Sequence, residues 1–112
     1  QKNIKEKFDD ILSDLNFNYK ISWNCSAEPF ITKEGKLTKI LQNVVKETIN
    51  IESCLSTTGG TSDARFISQH AKETIEFGPL NESAHKINEN ISLQDLNNLE
   101  KIYYNTLCKV LL

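Results

Sequence analysis

Two stretches of this chain carry side chains suited to chemistry: TTGGTSDARF at residues 57–66 and GPLNESAHKINE at residues 78–89. In the first, Gly59 and Gly60 let the backbone approach a ligand closely and adopt positive φ. Amides exposed ahead of a helix start suit a carboxylate or a phosphate. The hydroxyls of Thr58, Thr61 and Ser62 add donors. An anion site and a plain structural turn both fit these residues. A phosphate-binding P-loop does not, because no Lys-Ser/Thr pair follows the glycines. A hydrolase nucleophile elbow does not either, because Ser62 stands in GGTSDA and not in GxSxG. Asp63 and Arg65 read as a local ion pair or as a contribution to an anionic pocket.

The second stretch holds His85, one of two histidines in the chain. Neutral imidazole is a metal ligand, but it needs further histidines or carboxylates to complete a site. No HxxxH or HxH pattern surrounds His85, and the nearby carboxylates are Glu82 and Glu89. Read from its neighbours alone, His85 is a surface loop histidine or one ligand of a site completed elsewhere. His70, in ISQHAK, reads as a solvated residue at a helix end.

The elements that must position these stretches follow from periodicity. Ile4, Phe8, Ile11, Leu12 and Leu15 recur at helical spacing, which predicts an amphipathic helix over residues 4–15. Tyr19, Ile21, Trp23 and Cys25 alternate with polar residues, the pattern of a strand with one covered face. Residues 30–36 read as a connection. Leu37, Ile40, Leu41, Val44, Val45, Thr48 and Ile49 form the stripe of a second helix. Residues 51–56 and 73–77 are short strand candidates, the latter with Ile75 and Phe77 on one side. Residues 64–70 suit one or two helical turns. Ser92 followed by Asp95 is a capping-box-like start for a last helix, with Leu96, Leu99, Tyr103, Leu107 and Val110 as its apolar stripe. From residue 36 the order is helix, strand, loop, helix, strand, loop, helix, which predicts a layered α/β arrangement with parallel strands. Both chemical stretches follow a strand, where ligands bind in such sheets.

Composition narrows the function classes. The net charge is −2 with both signs interspersed, so no basic footprint for nucleic acid is present. No apolar run nears the roughly 20 residues that cross a bilayer. Cys25, Cys54 and Cys108 fit neither a CxxC pair nor a disulfide framework, and their odd number suits a reducing, cytoplasmic setting. The chain has no Met, even at position 1, and a helical pattern begins almost at once. It is therefore expected to be a piece of a longer protein, with any site in it incomplete.

Residues 56–66 (STTGGTSDARF), 76–89 (EFGPLNESAHKINE) and 23–37 (WNCSAEPFITKEGKL) together resemble the C-terminal part of the succinyl-diaminopimelate desuccinylases. These belong to the zinc-dependent aminoacylase and carboxypeptidase family of metallopeptidases. The resemblance spans essentially the whole chain, and HKINE after GPxN is its most specific element. It implies a two-domain enzyme: residues 1–28 would end an α/β lid domain that dimerises, and 29–112 would be the C-terminal part of a zinc-peptidase-like catalytic domain. The implied reaction is hydrolysis of N-succinyl-LL-2,6-diaminopimelate to succinate and LL-2,6-diaminopimelate, with two zinc ions, or zinc plus cobalt, activating a water. His85 matches the family's last metal ligand, and Gly60, Thr61 and Asn81 match substrate contacts. The other ligands and the general base would lie upstream, leaving these 112 residues inactive alone. Ala64 departs from the Gly of the family pattern. An acetylornithine deacetylase-like amide hydrolase and a non-catalytic dimerisation fragment are the alternatives.

Overall fold

The second helix needs a cap that its own sequence lacks. Its first turn, KLTK, contains no acid, and its N-cap is Gly35, whose side chain offers nothing. The computed structural model, which describes residues 2–15, 18–26, 28–60 and 62–112, supplies the cap from afar. The Glu73 carboxylate accepts from the backbone N–H groups of Leu37 (3.0 Å) and Thr38 (3.3 Å) and from the Thr38 hydroxyl (3.1 Å). Four α-helices and one 3₁₀ turn occur among the described residues: α1 (Lys2–Ser13), α2 (Lys36–Ile49), α3 (Ala64–Ile67), the turn Asn81–Ser83, and α4 (Leu93–Leu111).

The core lies where α2 crosses α4. Val44, Val45 and Ile102 are buried, with Ile40, Leu41, Ile49 and Phe77 packed against them. Thr38 and Thr106 share this interior. The seam is closed at the surface by Lys109 Nζ on Glu47 Oε2 at 2.6 Å. At its end α2 turns through Asn50, which adopts the left-handed conformation (φ 54) and donates to the Lys46 carbonyl. Asn tolerates that conformation where most side chains do not.

The structure departs from two expectations. First, residues 19–25, 51–56 and 73–77 form no strand, and no sheet occurs among the described residues. A ladder requires a neighbouring backbone within about 5 Å. Segment 73–77 meets Thr32 instead, whose hydroxyl donates to the Thr74 carbonyl (2.6 Å) and accepts from the Thr74 N–H (3.2 Å). One side chain thus takes both bonds that a neighbouring strand would make. Second, the stripe of α4 that turns inward runs through Leu99, Ile102 and Thr106. Leu96, Tyr103, Leu107 and Val110 stay exposed.

Among the described residues α1 packs on no other helix. Its contacts run to Trp23, which meets the Phe8 ring edge-on at 5.6 Å and lies under Lys5 Nζ.

Candidate functional site

Segment 73–77 is the junction on which the site depends, because four parts of the molecule dock on it. Glu73 holds the start of α2. Thr74 is held by Thr32. Glu76 accepts a hydrogen bond from the Ser62 hydroxyl. The Phe77 carbonyl accepts from Tyr103 of α4, and the two rings meet edge-on at 6.3 Å. The chain leaves this junction through Gly78-Pro79 straight into the stretch that carries Asn81 and His85.

That stretch is a series of tight turns. Ala84 N–H donates to the Asn81 carbonyl (3.2 Å), Lys86 to Ser83 (3.1 Å) and Glu89 to Lys86 (3.1 Å). Ser83 closes the loop by donating to the Asn90 carbonyl (2.6 Å) and accepting from the Asn90 N–H (3.2 Å). Asn90 in turn donates from Nδ2 to the Asn88 carbonyl. An open hollow of about 290 Å³ lies against Pro79, Asn81, Ser83 and Asn90. His85 is exposed at the apex with φ 60, one of three described non-glycine residues at positive φ. Histidine is among the few side chains enriched there. A non-glycine residue held in this region costs on the order of 1–2 kcal/mol, and strain of this kind clusters at functional sites.

The glycine loop is exposed and open. A Cβ on Gly60 would meet nothing within 4 Å, so a ligand has room to reach its backbone. Neither Gly59 nor Gly60 uses positive φ, so close approach and not unusual geometry is what they provide. Thr61 lies outside the described residues. Ser62 accepts from the Ala64 N–H (3.0 Å), which starts α3. Arg65 forms no ion pair with Asp63; its guanidinium lies 4.7 Å over the Phe66 ring.

A metal centre needs three or four protein ligands. Among the described residues no group of three or more His, Cys, Asp or Glu could hold an ion. The residues that sequence reasoning passed over are Glu73, Glu76 and Ser83. Period two places Glu73 on the same side as Ile75 and Phe77, and an acid on a covered face signals a satisfied carboxylate. Glu76 is on the opposite side, facing the glycine loop.

Comparison with known proteins covers nearly the whole chain. A family model described as Peptidase family M20/M25/M40 matches residues 3–109. A succinyl-diaminopimelate desuccinylase of Azoarcus sp. (strain BH72) is 44% identical over 104 residues. That match takes in 93% of this chain and 27% of the relative, so the chain spans about a quarter of its length.

Proposed function

The chain belongs to peptidase family M20/M25/M40, and from that premise we propose that it is the C-terminal part of a metal-dependent amide hydrolase. The substrate is N-succinyl-LL-2,6-diaminopimelate, and the products are succinate and LL-2,6-diaminopimelate, a step of lysine biosynthesis in the cytoplasm. The observation that carries the reading is His85: the histidine of the HKINE stretch stands exposed in a left-handed conformation at the tip of a hydrogen-bonded loop.

In this reading His85 ligates one ion of a pair, two zinc ions or zinc plus cobalt. A bound ion of this kind supplies activation of a water and polarisation of the amide carbonyl. Asn81, Gly60 and Thr61 hold the substrate's carboxylate. Gly60 suits that role because its backbone is open to a ligand. Asn81 and His85 share one loop, which ties the grip on substrate to the position of the metal. Residues 1–28 belong to an α/β lid through which the enzyme forms a homodimer. That boundary is supported by α1, which among the described residues packs on no other helix. Segments 51–56 and 73–77 become strands of the catalytic α/β domain when neighbouring strands pair with them.

The test is made in the full-length enzyme. His85→Ala and His85→Gly are both expected to lose metal and activity by more than the roughly 10–100-fold that loss of an outer partner costs. Glycine relieves the left-handed backbone and alanine does not, so equal loss in both separates ligation from folding. Asn81→Ala and Thr61→Ala raise KM with metal content unchanged. Full metal occupancy and turnover in His85→Gly would show that the imidazole is not a ligand. Faster hydrolysis of N-acetylornithine than of the succinylated substrate would overturn the substrate assignment.

A further inference from the structure

We propose that Glu76 is a positioning residue that sets the glycine loop for substrate, acting through Ser62. The proposal rests on the reading of residues 57–63 as the substrate loop and adds a residue that touches no substrate.

Three observations converge on this carboxylate. Ser62 Oγ donates to Glu76 Oε1. The same hydroxyl accepts from the Ala64 N–H at 3.0 Å, so its proton and a lone pair are both committed and its rotor is fixed. Ala64 is itself buried, which anchors that end of the loop in the interior. At the other end, the position of a Cβ on Gly59 would lie 3.8 Å from Glu76 Oε2. One carboxylate therefore holds Ser62 through Oε1 and lies beside Gly59 with Oε2, while Gly60 stays open.

The chemistry fits positioning and not catalysis. Glu76 bonds to a loop that is to hold an anion, where a direct contact of its carboxylate with substrate would be repulsive. A hydroxyl donating to an ionised carboxylate makes a bond roughly twice as strong as a neutral one. Glu76 also stands two residues before Gly78-Pro79. The carboxylate thereby joins the glycine loop to the turn that carries Asn81 and His85, and both halves of the site share one reference.

The experiment uses the full-length enzyme, with steady-state kinetics on N-succinyl-LL-2,6-diaminopimelate, metal content and melting temperature. Glu76→Ala is expected to raise KM about tenfold with kcat and metal content near wild type, the pattern of lost ground-state and transition-state grip. Ser62→Ala gives the same rise, and the double variant is no worse than either single one, because both remove one bond. Glu76→Gln restores KM to within about twofold, since its amide oxygen still accepts from Ser62. A wild-type KM in Ser62→Ala, or fully additive effects in the double variant, overturns the proposal. If Glu76→Ala fails to fold, Ser62→Ala and Glu76→Gln carry the same decision. An unchanged KM in Thr61→Ala sinks the substrate-loop reading itself. A raised KM in Thr61→Ala alone overturns only the role of Glu76.

Discussion

Glu73 shows how a single side chain fixes an element that local sequence leaves incomplete. Hydrogen bonding from the Leu37 N–H holds its carboxyl below the ordinary glutamate range. Partial burial opposes this, and the Thr38 N–H, the Thr38 hydroxyl and the Lys36 N–H add to the lowering. The positive end of the helix dipole favours the charged form in the same sense. Because the folded value is lowered, the stabilisation is fully present above the unfolded glutamate value of about 4.3. It is lost as pH falls through the lowered folded value. Glu73→Gln therefore lowers the melting temperature of the full-length enzyme at pH 7, and the gap to wild type closes on acidification below about pH 4. A gap that stays constant with pH would show that packing, not the charged cap, is what the glutamate provides. Gly35 belongs to the same contact: a Cβ there would lie 2.6 Å from Glu73 Oε1 and push the carboxylate off the helix. At this scale the site was half legible. Asn81 and His85 stand out only through the resemblance of the stretch that carries them; by type and spacing His85 reads equally as a surface histidine. Glu73 and Glu76 do not stand out at all, because they act across 35 and 14 positions of sequence.

Helices were legible because their signals are local. Ser92 does what its spacing to Asp95 predicts: its hydroxyl accepts from the Asp95 N–H at 3.0 Å and donates to Asp95 Oδ2 at 2.7 Å. Ser92→Ala should cost about 1 kcal/mol, the usual value of an N-cap. Ile102→Ala should cost about 2–5 kcal/mol, because it empties a fully buried position between α2 and α4. Both are read from chemical denaturation of the full-length enzyme. A smaller loss at Ile102 than at Ser92 would mean that α4 does not pack through this stripe. The apolar pattern of α4 was readable, but the inward face was not. Leu96, Tyr103, Leu107 and Val110 make the more apolar stripe, yet Leu99, Ile102 and Thr106 are the ones turned toward α2. Hydropathy counts apolar residues without knowing which partner is nearest. Strands were the least legible, because alternation records a willingness to pair while pairing itself needs a second backbone.

The molecule as a whole leaves much apolar surface uncovered. Its radius of gyration is 19.4 Å, against about 13 Å for a compact chain of this length. The α1 face is open, with Ile4, Phe8, Ile11 and Leu15 exposed. So is the second stripe of α4, from Leu96 to Val110. An uncovered stripe on one helix is ordinary; two helices with open apolar stripes in a chain this short are not. Such a chain has a helical core without the apolar burial that makes unfolding cooperative. The 112 residues expressed alone are therefore expected to bind the hydrophobic dye ANS and to melt over a broad range, with helical circular dichroism retained. In the full-length protein the transition is expected to sharpen and dye binding to fall. A sharp, dye-silent melt of the isolated residues would mean that the exposed stripes find each other in solution. In that case the openness of this arrangement, and the role of segments 51–56 and 73–77 as strands awaiting neighbours, would both be wrong.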